Sequence, residues 1–238
     1  DTKGAMPDNT RLQLPQAAMS KSISAKSTTA DSTTDYSLSL CPEDHPLRSE
    51  LEDYIARRYA RRHQAAIEHY LPYLLALENG QRIDAALGLN SALKQALFLE
   101  AYLDKPIEQV ISQQLCTPVD RARVVEIGNL AASQRTASTL LFTLLSALLD
   151  QAGYRWIVFT ATPCVQALVA GMGFSLHTIG EAKAERVNAA DNWGSYYGTR
   201  PQVMVGCIDD TMRKALSPTM QGWLAAHVQA IKTIAGRI

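Results

Sequence analysis

Arg155-Trp156-Ile157-Val158-Phe159-Thr160-Ala161-Thr162 is an apolar run of strand length, the pattern of a strand buried on both faces. Pro163 follows at once and opens a helix at its first turn, where the missing N–H costs nothing. That helix is expected to end near Gly171-Met172-Gly173. Upstream, Arg123–Leu130 reads as a strand and Arg135–Gln151 as an apolar helix closed by Gly153. Downstream, Phe174–Ile179 and Gln202–Ile208 read as strands and Thr219–Ile234 as a terminal helix.

Further from this centre, Leu71–Glu78 and Arg82–Leu89 are strand-like runs separated by Asn79-Gly80-Gln81, and Asn-Gly is a strong hairpin signal. Pro106–Leu115 reads as a short helix. Leu47, Leu51, Tyr54, Ile55 and Tyr59 recur at helical spacing up to about His63. Asp44, in the turn Cys41-Pro42-Glu43-Asp44-His45-Pro46, is the expected cap of that helix. Tyr36–Leu40 is a short alternating segment where order is expected to begin. A hairpin followed by strand–helix–strand–helix–strand predicts one α/β domain with a mixed, twisted sheet and helices on both faces, spanning residues 36–238. Residues 1–35, rich in Ser and Thr from Ser20 to Thr34, are expected to be a disordered tail, with Asp1–Met6 a candidate cloning remnant.

The 238 residues are 47% apolar, enough for a sizeable core, and the 23 basic and 23 acidic side chains balance. A general nucleic-acid binder would need a basic excess, so no nucleic-acid partner is expected. Cys41, Cys116, Cys164 and Cys207 are scattered, with no C-x-x-C pair; no metal is expected, and a reducing, cytoplasmic setting fits. The N-terminus shows no apolar run of signal-peptide length. The longest apolar stretch, Thr139–Leu149, is about half of the roughly 20 residues a bilayer requires, so no stable membrane insertion is expected.

Three segments carry a family resemblance: Leu97-Phe98-Leu99-Glu100-Ala101-Tyr102-Leu103-Asp104-Lys105-Pro106-Ile107-Glu108, Val125-Glu126-Ile127-Gly128-Asn129-Leu130-Ala131, and Arg155–Thr162 with the later Trp193-Gly194-Ser195-Tyr196-Tyr197. Together they resemble the thermostable hemolysin family over about Leu47 to Ile208. That family looks like a branch of the GNAT-type acyltransferases and is similar in layout to the N-acyl homoserine lactone synthases. The resemblance implies a GNAT-like sheet whose two central parallel strands, here Arg123–Leu130 and Arg155–Thr162, splay to admit the arm of an acyl thioester. The donor would be coenzyme A or an acyl carrier protein, and the acceptor a small amine or amino acid. Gly128 stands where the first strand is expected to bulge, with tight packing as the alternative.

The resemblance also implies roles for residues. Glu126 is the candidate base or amine anchor, with a structural carboxylate paired to an Arg, such as Arg123, as the alternative. Asn129 is a candidate to hold the thioester carbonyl or an acceptor group, or is a turn former; backbone N–H groups near Asn129, Leu130 and Ala131 would stabilise the oxyanion. Gln134-Arg135-Thr136-Ala137-Ser138 falls where the family superfold places its pyrophosphate loop, although the glycines of that loop are missing. Thr160 and Thr162 are expected on the thioester side, and Arg58, Tyr102, Trp193 and Tyr196 around the substrate, with a cover for the sheet edge as the alternative for Trp193, Tyr196 and Tyr197. The cluster Arg57, Arg58, Arg61 and Arg62 is a solvated helix face, a docking site for an acidic carrier protein, or the source of one Arg that binds a substrate carboxylate. Cys164 is expected as a small packed residue, and His63, His69 and His177 as surface or core histidines. Two rival readings remain: a membrane-active protein with an exposed amphipathic element, for which the helix around Trp223 is the candidate, and a non-catalytic acyl-thioester binding module.

Overall fold

The computed structural model describes residues 36–238 except 189, 214 and 215; the tail expected at 1–35 lies outside the described residues. The strands are β1 (Tyr36–Cys41), β2 (Tyr73–Asn79), β3 (Arg82–Ser91), β4 (Val124–Ala132), β5 (Trp156–Ala161), β6 (Leu176–Glu181) and β7 (Gln202–Cys207). They form one sheet in the order β1-β2-β3-β4-β5-β7-β6, in which β4 and β5 are the parallel pair and the other neighbours run antiparallel. The β2–β3 hairpin closes with Asn79 paired to Arg82. Its loop is therefore Gly80-Gln81, and Gly80, at φ +61°, supplies the left-handed conformation that tight hairpin turns require.

The helices are α1 (Arg48–His63), α2 (Ile107–Leu115), α3 (Arg135–Gln151), α4 (Pro163–Gly171), α5 (Ile208–Met212) and α6 (Pro218–Ala235). Side chains of successive strand residues alternate between faces, and the helices divide accordingly. On one face Leu75, Leu87, Val125, Ile127, Ile157 and Phe159 pack with the apolar sides of α3 and α6. Each fully buried Leu or Phe there contributes roughly 2 kcal/mol of apolar transfer. On the other face α1 lays Leu51 and Ile55 on Leu74, Ala76 and Ala86. Beside it, α2 lays Ile107 and Ile111 over Val124, Trp156, Val158 and Val205.

Asp44 is not the cap of α1: it is exposed, and the helix begins at Arg48 after Leu47. The start is fixed instead by Arg48, a buried cation whose guanidinium donates to Leu71 O at 2.8 Å and Pro72 O at 2.9 Å and pairs with Glu52. The helix α6 falls where Thr219–Ile234 was expected, but its apolar stripe is not the exposed element that the membrane-active reading needs. Trp223, His227 and Ile231 are buried, and His227 Nε2 lies 2.9 Å from Tyr36 O on β1. Its apolar stripe closes the core and is not presented outward. No helix among the described residues is long and apolar enough to cross a membrane.

Candidate active site

The parallel ladder between β4 and β5 runs from Val124–Trp156 to Ile127–Phe159 and stops there, although the strands continue to Ala132 and Ala161. Their diverging ends leave a wedge, and a cavity of about 330 Å³ fills it. The divergence has a local cause. Between β3 and β4 the register moves from Gly88–Gly128 to Ala86–Ala131, so Asn129 and Leu130 together face Leu87. This is a β-bulge, which adds a residue and bends the strand. It falls where Gly128 led one to expect it, but the left-handed residue is Asn129, at φ +51°, a conformation Asn tolerates better than most side chains.

A loop pins the bulge. Asn129 Oδ1 accepts from Leu71 N at 2.9 Å and Asn129 Nδ2 donates to His69 O at 3.0 Å. A Cβ at Gly88 would stand 2.8 Å from both Asn129 Oδ1 and Leu71 Cβ, and one at Gly128 would stand 2.9 Å from Leu71 Cδ1. Bulging and tight packing, posed as alternatives for Gly128, therefore both hold. Both arms of the Asn129 amide are engaged with the loop.

Glu126 sits just before the divergence, on the α1–α2 face, and is 3% exposed. Arg123 is not its partner; Arg123 Nε donates to Gly153 O. Glu126 Oε2 accepts from Phe98 N at 2.8 Å and Oε1 from Leu99 N at 2.9 Å. Burial pushes its pKa up to about 7, against these N–H bonds and one from Asn90 that favour the anion. The carboxyl lines a second, smaller cavity of about 60 Å³, shared with Tyr102, Trp193, Phe98 and His69. Gly128, Asn129 and Thr160 border both cavities, so the two meet at the bulge.

The segment that presents Phe98 N and Leu99 N is itself anchored. Glu100 accepts from Leu97 N at 3.0 Å and Ile107 N at 2.9 Å, and Arg121 grips both of its oxygens at 2.6 and 2.8 Å while reaching Glu108 at 2.8 Å. Burial alone would raise the Glu100 pKa, but Arg121 and the two N–H bonds hold it at about 2. The aromatic wall is anchored from the far end of the chain. Gly194, at φ +53°, lies so close to α1 that a Cβ would stand 2.2 Å from His63 O. Ser195 N donates to that same oxygen at 2.8 Å, and Ala66 N to Asn192 O at 2.6 Å. Trp193 and Tyr196 are thereby set with ring centroids 5.3 Å apart. Tyr102 and Tyr197 share a hydroxyl contact of 2.7 Å, and burial and this bond raise the Tyr102 pKa.

The structure sorts the residues singled out in the sequence. Leu130, Ala131, Ser138, Thr160 and Thr162 line the larger cavity with Arg58, whose guanidinium also donates to Ala132 O. Glu126, Tyr102 and Trp193 line the smaller one, and Tyr196 and Asn129 line both. Gln134, Arg135, Thr136 and Ala137 form the start of α3 with no side-chain cap, Gln134 preceding the first turn; they do not line either cavity. Cys164 is exposed on the lining of the larger cavity, not packed. His63 and His69, read from sequence as surface or core histidines, line the larger and smaller cavities respectively. Burial, with the charge of Arg62, lowers the His63 pKa. His177 is exposed on β6. Among the described residues no group of three or more His, Cys, Asp or Glu is arranged to hold a metal.

The family model described as "Thermostable hemolysin" matches residues 41–212. No curated protein sequence matches the chain. Among solved structures, the AHL synthase LasI is similar at 9% identity, over 73% of this chain and 90% of that one, with a TM-score of 0.51. FeeM, an N-acyl amino acid synthase from uncultured soil microbes, is similar at 15% identity, over 76% and 96%, with a TM-score of 0.51. BjaI, a CoA-dependent acyl-homoserine lactone synthase solved with SAM and isopentyl-CoA, is similar at 11% identity, over 80% and 88%, with a TM-score of 0.50. At these identities the likeness is one of fold, and that fold is the GNAT-like mixed sheet with its helices.

Proposed function

The chain belongs to the thermostable hemolysin family, and on that premise we propose that it is an N-acyltransferase moving an acyl group from a coenzyme A or acyl carrier protein thioester to a small amine or amino acid. One observation carries this reading: the β4–β5 wedge opens onto a cavity that meets, at the bulge, a second cavity lined by a buried carboxyl. A thioester arm threaded through the wedge brings its carbonyl to the bulge, and an amine in the smaller cavity meets it there.

The residues supply the chemistry. Aminolysis needs a neutral amine. Glu126, fixed by Phe98 N and Leu99 N and with a pKa near 7, takes one proton from the bound ammonium. The freed nitrogen attacks the acyl carbon, and backbone N–H groups at Asn129–Ala131 stabilise the oxyanion. The C–S bond then breaks as the C–N bond is retained. The second ammonium proton goes to the departing thiolate, and Glu126 returns its own to solvent. Asn129 contributes by holding the bulge through His69 and Leu71. The first turn of α3, carrying Arg135 and lacking a side-chain cap, offers N–H groups and a helix dipole to a donor phosphate.

Among the described residues the candidate element of the membrane-active alternative, the Trp223 stripe of α6, is buried. The test is incubation with acyl-coenzyme A or acyl carrier protein plus candidate amines, following free thiol and the amide product by mass. Glu126→Gln is expected to lower the rate about 10²–10⁴-fold. A wild-type rate in that variant across pH would remove Glu126 from the base role. Thioester binding without amide formation would leave only the binding-module reading.

A further inference from the structure

The two cavities differ in charge, and the difference bears on the acceptor, a deduction that rests on the acyl-transfer reading. Arg58, Arg61 and Arg62 line the larger cavity, the one the thioester arm enters in that reading. Among the described residues the smaller cavity has one carboxyl, Glu126, and neither Arg nor Lys. Its walls are rings. Phe98 lies 6.1 Å from Tyr102 and 6.1 Å from Trp193, and His69 stacks on Phe98 at 5.2 Å. The Tyr102 hydroxyl is engaged by Tyr197 and both Asn129 amide arms by the 69–71 loop, so these side chains have few donors left for an anion.

Aromatic faces attract cations, and a buried carboxylate does so more strongly. An acceptor carboxylate placed here would lose its hydration beside Glu126 and ring faces, with no guanidinium or ammonium to meet it. Size works in the same direction. About 60 Å³ is room for about four to six water-sized groups. We propose that the acceptor is a small primary amine with no carboxylate, its ammonium seated on Glu126 between the rings of Phe98, Tyr102 and Trp193. This narrows the acceptor class from "amine or amino acid" to amines alone.

The experiment compares matched probes on the whole protein: propylamine against 2-aminobutyrate, and ethanolamine against serine and serine methyl ester. Binding is measured by calorimetry without donor, and acylation by thiol release with octanoyl-coenzyme A. Each amine is expected to bind and react at least about tenfold better than its amino acid. The methyl ester, which keeps the bulk and loses the charge, is expected to follow ethanolamine. Glu126→Gln, and independently Trp193→Leu, are expected to erase the preference in the binding measurement, with folding checked by circular dichroism. Amino acids equal to or better than amines, or the ester following serine, would overturn the inference while leaving acyl transfer standing. Amine-selective binding with no thiol release from any donor would support the ligand class and defeat the acyl-transfer reading. If no probe of either kind binds or reacts, the inference is wrong.

Discussion

Replacing Glu126 by Gln tests the electrostatics of the site apart from any substrate. The carboxyl is 3% exposed and its pKa rises from 4.5 to about 7, with burial as the main cause. The folded protein therefore holds this proton more tightly than the unfolded chain does. The stabilisation is fully present below about pH 4.5 and is lost as pH rises through about 7. At about 1.4 kcal/mol per pH unit, the full loss is about 3 kcal/mol, most of it between pH 5 and pH 8. Gln cannot ionise, so the variant lacks this slope. It carries instead a pH-independent cost of about 1–3 kcal/mol, because its amide NH₂ confronts one of the two backbone N–H groups of Phe98 and Leu99. The assay is urea unfolding of both proteins at pH 5, 6, 7 and 8. Groups that titrate in both, such as His63, cancel in the difference. The stability advantage of the wild type over the variant should shrink by about 2–3 kcal/mol from pH 5 to pH 8. Parallel pH curves would refute the claim that burial governs this carboxyl, and with it the proposal of a base poised near neutrality.

Three further outcomes are expected. Arg121→Ala should cost about 2 kcal/mol in urea unfolding by removing both contacts to the Glu100 oxygens. It should also reduce the acid sensitivity of the fold, since the stability tied to Glu100 is present above about pH 4.5 and is lost as pH falls through about 2; an unchanged acid midpoint would contradict this. Gly194→Ala should cost more than about 2 kcal/mol, since the new Cβ meets His63 O and the left-handed backbone is strained; a melting temperature equal to wild type would show the close approach to be unimportant. Trp223→Lys should destabilise by about 3–5 kcal/mol, as loss of a buried aromatic does; a fully stable variant would return α6 to the surface.

Much of the fold was legible because its strands are bounded by strong punctuation. The run Trp156–Ala161 is apolar throughout apart from Thr160, ends at Pro163, and is a strand where expected. Gly128 pointed to the bulge because a glycine inside a strand has few other uses. Other features depend on distance in space and left no local signal. Arg121 and Glu100 are 21 residues apart, so neither spacing nor periodicity announced the anchor within the segment Leu97–Glu108. His63 reaches the larger cavity from the last turn of α1, and His69 reaches the smaller one because the loop after α1 is tied to the bulge by Asn129. The first turn of α3 was located correctly, but the resemblance alone could not reveal that Ser138, and not the residues before it, reaches the cavity.

The seam between His63–Ala66 and Asn192–Ser195 has a consequence for synthesis. Its partners lie 132 residues apart in the Ser195–His63 bond, so a ribosome must deliver most of the chain before the seam can form. A nascent protein can complete its β2–β3 hairpin and α1 long before then, yet it lacks the Trp193 and Tyr196 part of the wall near Glu126. Non-local closures of this kind form slowly, which makes the smaller cavity a late product of maturation.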